Sequence, residues 1–344
     1  MTMTSIDIEK YNGIMFRRLY TDSNSADSWP RFLDIIVDPA IELELQSSWQ
    51  RLLPMVDERI KYDELSSNIH DWIEHNPQIE NSGLTRFINK AAIIPSVFDG
   101  LSESFIRYQS LRLRHLHGEY IPFHLDNSIF LPKHFAELET SRDSRGGTSQ
   151  RLYIDNDNGK YYDLDEGDWV LISLPFYPAG DHILMYDGIL NQAQLLGVPV
   201  VVDCSLFPYT ENMKFNFEHP AITEVLFNLS MGLGITDSTI GVRYSNYTNG
   251  FLNMKHEHGY ILDTTKALIS HLLDIVPSDH FVKKCSTYRD EICDDFGFTP
   301  TNVVSLCLAS YEDEFFLDRD SSPYPTVNIS MALTKKLEGT YNVK

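Results

Sequence analysis

The segment Trp169-Val170-Leu171-Ile172-Ser173 and the segment Val198-Pro199-Val200-Val201-Val202-Asp203 are two short, almost continuous apolar runs. Residues Ile183 to Leu196, between them, carry apolar side chains at the spacing of a helix. Strands that are apolar on both faces and are joined through a helix are typical of parallel sheets covered by helices. This strand-helix-strand unit predicts an α/β protein with a mostly parallel, doubly wound sheet.

The flanking sequence extends the pattern on both sides. Ala91 to Val97 is a predicted strand that leads through a turn into a predicted helix from Ser102 to Leu113, and Tyr120 to Phe123 is another predicted strand. Val225 to Leu229 and Thr239 to Tyr244 are predicted strands beyond the second apolar run. We therefore expect the sheet to belong to a large domain that spans residues 86–260.

The remaining sequence predicts two smaller parts. Residues 41–76 have the periodicity of two amphipathic helices, which predicts a helical N-terminal segment over residues 1–85. A helix from Leu262 to Val276 and strands at Val303 to Leu308 and Val327 to Met331 predict a small C-terminal α/β domain over residues 261–344.

The charge balance argues against a nucleic-acid partner. The chain has 49 Asp and Glu against 28 Lys and Arg, which gives a formal net charge of -21. Such a charge repels a phosphate backbone unless a local basic patch overrides it. The densest basic cluster is Arg112, Arg114 and His115, and we interpret it as a solvated helix end.

Membrane insertion and cysteine chemistry are not indicated either. No window approaches the ~18 apolar residues of a membrane span, and residues 1–7 do not resemble a secretory signal, so we expect a cytoplasmic protein with no membrane partner. The four cysteines lack Cys-x-x-Cys spacing, which indicates neither a zinc site nor a redox pair and predicts reduced, buried thiols.

Four segments carry residues suited to binding. Asp99-Gly100-Leu101-Ser102-Glu103-Ser104 lies near a predicted helix N-terminus, where backbone N–H groups and hydroxyls attract anions. Ser173-Leu174-Pro175-Phe176-Tyr177-Pro178-Ala179-Gly180 follows the first apolar run, and Asp203 ends the second. The fourth is Asn228-Leu229-Ser230-Met231-Gly232-Leu233-Gly234-Ile235, followed by Ile240-Gly241-Val242-Arg243-Tyr244.

In this order the segments resemble the motifs of fold-type I pyridoxal-phosphate enzymes, the aspartate aminotransferase superfamily. The resemblance implies a cofactor phosphate held by Gly100, Leu101 and Ser102, with Arg243 as a displaced substitute for the phosphate-binding arginine. It also implies a role for Asp203 at the pyridine nitrogen. Ser173 stands where the family has an asparagine at the ring oxygen, and Ser230 belongs to the family's Ser-x-Ser-Lys motif.

Met231 stands where the resemblance places the lysine that forms the internal aldimine. A thioether can neither form that bond nor shuttle the proton. The resemblance therefore implies an aminotransferase-like protein that holds pyridoxal phosphate non-covalently, if it holds the cofactor, and that binds an amino-acid-like small molecule. It further implies a homodimer, or a heterodimer with an active homologue that this chain supports.

Other interpretations stay open at the level of sequence. An active transferase would use His124 or His182 as general base with a non-covalent cofactor, or Lys214 or Lys255 in place of the missing lysine. A lower alternative is a non-haem iron oxygenase with His124 and Asp126 as ligands, although the predicted parallel sheet contradicts the antiparallel fold of such enzymes.

The pairs His115-x-His117 and His256-x-His258 also have the spacing of metal ligands on one face of a strand. We interpret them as surface histidines. No metal site is therefore predicted.

Overall fold

The computed structural model describes residues 15–16, 36–47, 60–116, 150–151, 164–175, 180, 186–235, 239–309 and 326–339. The predicted strand Tyr120 to Phe123 and the residues His117, His124, Asp126 and His182 lie outside these residues.

The described strands are β1 (Met15–Phe16), β2 (Ile79–Ser82), β3 (Asn89–Ile94), β4 (Arg112–Leu116), β5 (Gln150–Arg151), β6 (Asp168–Ser173), β7 (Val200–Cys204), β8 (Met213–Asn216), β9 (Ile222–Asn228), β10 (Gly241–Ser245), β11 (Thr299–Pro300), β12 (Leu306–Leu308) and β13 (Thr326–Asn328). The described helices are α1 (39–47), α2 (Tyr62–Glu74), α3 (Val97–Arg107), α4 (Tyr186–Leu196), α5 (Leu229–Leu233), α6 (Phe251–Glu257), α7 (Asp263–Ile275), α8 (His280–Phe296) and α9 (Ser330–Leu337).

The central sheet has the strand order β3-β10-β9-β7-β6-β4-β5. Neighbouring strands from β9 to β5 are parallel, and β10 pairs antiparallel with both β3 and β9. Every residue of β6 and β7 is buried, as expected for strands covered on both faces. The predicted α/β class with a mostly parallel central sheet is therefore confirmed.

Alternation along β6 divides the core into two layers. Trp169 and Leu171 pack in a smaller cluster with Leu101 of α3. Val170 and Ile172 belong to the larger cluster on the opposite face, which includes the apolar side chains of α4. Successive residues of a strand point to opposite faces, so helices cover both sides of the sheet.

A second, antiparallel sheet forms from the two ends of the described chain. Its strand order is β1-β13-β12-β11, so β1 pairs with β13 although the rest of the sheet comes from the C-terminal part. The core joins the two sheets, because buried residues of α8 and β12 belong to the same cluster as those of β7 and β9. The boundaries predicted at residues 85 and 260 stay a prediction.

Three predicted elements differ from the structure. The basic cluster at Arg112 to His115 is the strand β4 and not a helix end, because Arg112 pairs with Asp168 of the neighbouring strand. The helix predicted from Ser102 begins earlier, at Val97. The strand predicted up to Met331 stops at Asn328, and α9 begins at Ser330.

The described residues contain no helix long and apolar enough to cross a membrane. Within the same ranges no three His, Cys, Asp or Glu side chains come together as metal ligands. His256 lies on the helix α6 and not on a strand, and its ring shares a hydrogen bond with the hydroxyl of Tyr62.

Candidate functional site

The candidate site lies where the parallel strands of the central sheet end. Ser96 follows β3, Ser173 and Asp203 lie at the ends of β6 and β7, Met231 follows β9, and Gly241 begins the antiparallel strand β10. We call this region the carboxyl edge. Ligands of open α/β proteins bind outside the carboxyl ends of the strands, which makes this edge the first place to look for a site.

Asp203 is a buried carboxylate at the centre of the edge, with 3% of its surface exposed. Its Oδ1 accepts hydrogen bonds from the backbone N–H of Ser205 at 2.9 Å and from the Ser205 hydroxyl at 2.5 Å. These bonds fix one carboxylate oxygen within the turn that follows β7. The charge of Asp203 is thereby held at the strand end.

Ser173 is the direct neighbour of Asp203. The two residues are partners in the pairing of β6 with β7, and the N–H of Leu174 donates to the carbonyl of Asp203 at 2.9 Å. Ser173 is also buried. The structure therefore brings these two predicted site residues together.

Met231 lies on the short helix α5, which directly follows β9. The side chain of Asn228 caps this helix by accepting from the Met231 N–H at 3.2 Å. The Met231 side chain is only 1% exposed and is part of the main hydrophobic core. It packs as a core methionine, as expected for a flexible apolar side chain.

The helix α5 is fixed on two sides. Ser230 donates its N–H to the carbonyl of Ile240 at 3.1 Å, and the Ile240 N–H donates to the Ser230 hydroxyl at 2.6 Å. A side chain at Gly232 would lie 2.5 Å from the Trp72 ring. Ser230 therefore links α5 to Ile240, the residue directly before β10. Close contact with Trp72 at Gly232 leaves α5 no room to move toward that ring.

The N-terminus of α3 is closed by its own side chains. The Ser96 hydroxyl accepts from the Asp99 N–H at 3.1 Å and donates to the Asp99 carboxylate at 2.6 Å. Gly100 already donates its N–H to the carbonyl of Ser96 at 3.3 Å. The carboxylate of Asp99 thus occupies the helix end that favours negative charge.

The predicted phosphate-binding residues Gly100, Leu101 and Ser102 lie within α3, after its first three residues. Leu101 is buried in the smaller core cluster. A Cβ at Gly100 would lie 2.6 Å from the Leu226 side chain, so this glycine allows close packing of α3 on β9. The first turn of the helix is formed by Val97 to Asp99, of which only Asp99 belongs to the segment singled out in the sequence.

Arg243 is buried between two carboxylates on the α3 face of the sheet. Its guanidinium donates to Glu224 Oε2 at 2.9 Å and to Glu103 Oε1 at 3.0 Å. Glu224 also accepts from the Ser104 hydroxyl at 2.5 Å, and Glu103 accepts from Arg107 at 3.1 Å. Burial opposes the charged guanidinium, but Glu224 and Glu103 outweigh it and raise the pKa of Arg243.

The sequence resemblance implies that Arg243 binds the cofactor phosphate. In the structure its guanidinium is instead paired with Glu224 and Glu103. Its neighbours are carboxylates from β9 and α3, which lie 19 and 140 residues away along the chain. No short motif could have revealed these partners.

The two lysines considered as substitutes lie elsewhere. Lys214 is on β8, is largely exposed and forms an ion pair with Glu80 at 2.6 Å. Lys255 is on α6, with its ammonium 4.6 Å from the centre of the Phe251 ring. Within the described ranges, none of the strand ends that form the carboxyl edge carries a lysine.

Comparison with known proteins identifies the fold but no close relative. No protein-family model matches the chain, and no curated protein matches it in sequence. Solved structures do match. Tyrosine aminotransferase from Leishmania infantum aligns with a TM-score of 0.52 at 12% identity, over 98% of each chain.

Two other structures give the same result. BacF from Bacillus subtilis aligns with a TM-score of 0.53 at 12% identity, over 90% of this chain and 93% of BacF. A protein from Corynebacterium diphtheriae described as a pyridoxal-phosphate-dependent β-cystathionase aligns with a TM-score of 0.51 at 14% identity, over 88% of this chain and 89% of that protein. This chain has the aminotransferase fold. Identities this low show the fold alone.

The residues that this aminotransferase fold presents at the carboxyl edge suit pyridoxal phosphate only in part. Asp203 provides a buried negative charge that suits a protonated ring nitrogen. Met231 lies in the apolar core, Asp99 occupies the N-terminus of α3, and Arg243 is paired with two glutamates. Among the described residues at the strand ends of the carboxyl edge there is no lysine, and Arg243 is already paired with carboxylates.

Proposed function

We propose that this chain is an aminotransferase-like protein that cannot form an internal aldimine. The observation that carries the proposal is the position of Met231, which is buried in the core on the short helix α5 that follows β9, the strand paired with the strand of Asp203. Schiff-base chemistry requires an amine with an available lone pair, which a thioether does not have. Conventional transamination is therefore not expected.

The retained carboxylate of Asp203 supports a binding role for the carboxyl edge. The carboxylate of Asp203 is buried at the end of β7, and Ser205 holds one of its oxygens through two hydrogen bonds. A ligand with a protonated nitrogen would form a charge-assisted hydrogen bond with this carboxylate. We therefore propose an amino-acid-like small molecule as the ligand class.

A second candidate is an active transferase with a non-covalently held pyridoxal phosphate. Asp203 and Ser173 at adjacent strand ends favour it, because both lie where the superfamily resemblance puts the cofactor ring. Pyridoxal phosphate withdraws electrons from a bound amino acid when its ring nitrogen is protonated. In this chain Asp203 would hold that proton, and His124 remains a proposed general base.

The assembly state and location of the protein are also proposals. We propose a homodimer, or a heterodimer in which this chain supports a lysine-bearing homologue, because the superfamily resemblance implies paired subunits. A cytoplasmic location also stays a proposal. Co-purification with a lysine-bearing homologue is the expected sign of the heterodimer.

The central experiment compares the native protein with a Met231→Lys variant. Each is incubated with pyridoxal phosphate, reduced with borohydride, and examined by absorbance, intact mass and peptide mapping. We expect no covalent adduct in the native protein and an adduct on residue 231 in the variant. Met254→Lys, on an exposed part of α6, controls for reaction with surface lysines and should give no site-specific adduct.

A reducible adduct on a native lysine would overturn the proposal, since it would show that another lysine forms the aldimine. The native protein decides this point even if the buried lysine of the variant prevents folding. Equilibrium dialysis of the native protein against pyridoxal phosphate separates the two candidates. Stoichiometric binding without an adduct favours the non-covalent transferase, and the absence of binding favours the amino-acid-binding role.

A further inference from the structure

The small antiparallel sheet contains a close pair of thiols. Cys293 lies in the last turn of α8 and Cys307 in the middle of β12, and their Sγ atoms are 3.1 Å apart. A disulfide requires about 2.05 Å between the sulfurs, so the atoms need to approach by only about 1 Å. The cysteine spacing gave no sign of this pair, because helix and strand bring together residues that lie far apart in sequence.

The surroundings of the pair favour reaction at one of the two sulfurs. The hydrogen bond with Cys307 lowers the pKa of the Cys293 thiol despite its burial, and the nearby guanidinium of Arg289 adds to this effect. The same hydrogen bond, together with burial, raises the pKa of Cys307. Arg289 is held in place by Glu211 at 2.6 Å and by the carbonyl of Thr301 at 2.9 Å.

The strand of Cys307 has the short edge strand β11 as one of its neighbours. Both thiols are buried, but β11 has only two residues and both are exposed. The residue that pairs with Cys307 on this strand is Pro300, which has no N–H to donate to the ladder. The pairing of β11 with β12 is therefore short and weak, and its local opening would loosen the strand that carries Cys307.

We propose that Cys293 and Cys307 form a reversible disulfide on exposure to a small-molecule disulfide. The Cys293 thiolate attacks one sulfur of the oxidant, forms a mixed disulfide and releases one thiol. Cys307 then loses its proton and attacks the Cys293 sulfur, which forms the Cys293–Cys307 bond and releases the second thiol. Two protein thiols are oxidised, and the oxidant is reduced to two thiols.

The bond would fasten α8 to β12. The helix α8 also packs against the turn Phe207–Tyr209, which follows Asp203 along the chain. The thiol pair itself lies outside the carboxyl edge, so the inference does not depend on the proposed function.

The test uses the full-length protein and glutathione disulfide. The protein is oxidised both in buffer and in a sub-denaturing concentration of urea, the remaining thiols are alkylated, and the peptides are mapped without reduction. We expect a peptide that joins Cys293 to Cys307, the loss of two alkylatable thiols, and a higher Tm that returns to its original value after reduction.

Three variants make the assignment specific. Cys307→Ser should accumulate glutathione on Cys293, on the order of tenfold faster than Cys293→Ser accumulates it on Cys307. Cys285→Ser is the matched control, because Cys285 lies on the same helix, and burial raises the pKa of its thiol to about 12. This control should form the disulfide as the native protein does.

Two outcomes would overturn the proposal. One is the retention of all four thiols in both buffer and urea. The other is a disulfide that involves Cys204 or Cys285, or a mixed disulfide on Cys293 that persists in the native protein without closing onto Cys307.

Discussion

Two residues at the carboxyl edge, Asp203 and Met231, differ in polarity although both are buried. Asp203 keeps a buried charge at the end of β7, whereas Met231, after the next strand of the sheet, is an apolar core residue. A methionine adapts its shape to the surrounding core without any polar partner. Met231 thus contributes to the packing of α5 in the main core.

Substitution of Arg243 tests how much its buried ion pairs contribute to the stability of the protein. Replacing it with methionine leaves the buried Glu224 without its ion-pair partner, whereas Glu103 keeps its pair with Arg107, and removal of one partner of a buried ion pair costs about 3–5 kcal/mol. We expect a loss of this size in the free energy of unfolding, measured with urea. A loss below about 1 kcal/mol would contradict the structural role.

The matched control combines Arg243→Met with Glu224→Gln. Glutamine keeps the shape of Glu224 and removes the charge that Arg243→Met leaves without its partner, so the double variant should recover part of the lost stability. If Arg243 acted only through its own packing, the second substitution would not restore any stability.

At the scale of elements, the contact between the start of α1 and the helix α8 depends on a buried carboxylate. Asp38 Oδ2 lies 2.7 Å from His280 Nε2 and 2.6 Å from Lys284 Nζ, and its Oδ1 accepts from the Ala40 N–H. Burial alone would raise the pKa of Asp38. The hydrogen bonds outweigh burial and hold the pKa well below its ordinary value of 3.8.

A carboxyl group with a lowered pKa in the folded state stabilises the protein at pH values above its unfolded pKa, and the contribution falls as the pH drops below that value. We expect Asp38→Asn to lower the free energy of unfolding by about 1–2 kcal/mol at neutral pH, since Lys284 is partly exposed. The difference from the native protein should shrink below pH 4, as measured by urea unfolding across a pH series.

Asp263→Asn is the control for this prediction. Its ion pair with Lys266 has the same 2.6 Å separation, but Asp263 is 53% exposed, so its removal should cost no more than about 0.5 kcal/mol. A constant difference between native protein and Asp38→Asn down to pH 3 would contradict the proposed cause.

The same scale shows what the sequence could reveal. Apolar runs such as Trp169 to Ser173 predict the central strands because burial on both faces leaves a continuous pattern. The strand β4 was misread because Arg112 pairs with Asp168, which lies 56 residues further along the chain. The helix α8 received no assignment, since charged residues such as Lys284 and Arg289 interrupt its apolar periodicity and find their partners through the tertiary fold.

The candidate site, too, could be predicted only where it depends on local sequence and not on partners far away along the chain. Ser173 and Asp203 follow apolar strands, so their approach at one edge could be inferred from sequence, and the structure pairs them. Ser96 was missed because a strand-to-helix turn has few fixed residues, and the helix start was placed too late. The partners of Arg243 depend on packing between α3 and the sheet, which no local pattern contains.

For the molecule as a whole, the net charge of -21 sets how stability responds to salt. Excess negative charge makes the folded chain repel itself, and salt screens exposed charges over about 10 Å at 0.1 M ionic strength. Buried pairs such as Arg243 with Glu224 are screened much less. We expect Tm to rise when sodium chloride is added at constant pH near neutrality.

The measurement is thermal unfolding followed over a series of sodium chloride concentrations. Sucrose at equal osmolality is the comparison, because it acts through exclusion from the protein surface and not through screening. A Tm that falls with sodium chloride would show that screened surface pairs contribute more than the overall repulsion.

The pairing of β1 with β13 has a consequence for how the protein is made. Met15 pairs with Asn328 and Phe16 with Val327, so the ribosome has to complete almost the whole described chain before β1 can meet its neighbour. Asp38 likewise cannot form its ion pairs before His280 and Lys284 have been synthesised. Strand β1 and Asp38 therefore stay without these partners until the C-terminal part has been synthesised, whereas Ile36 can already meet the hydroxyl of Tyr209.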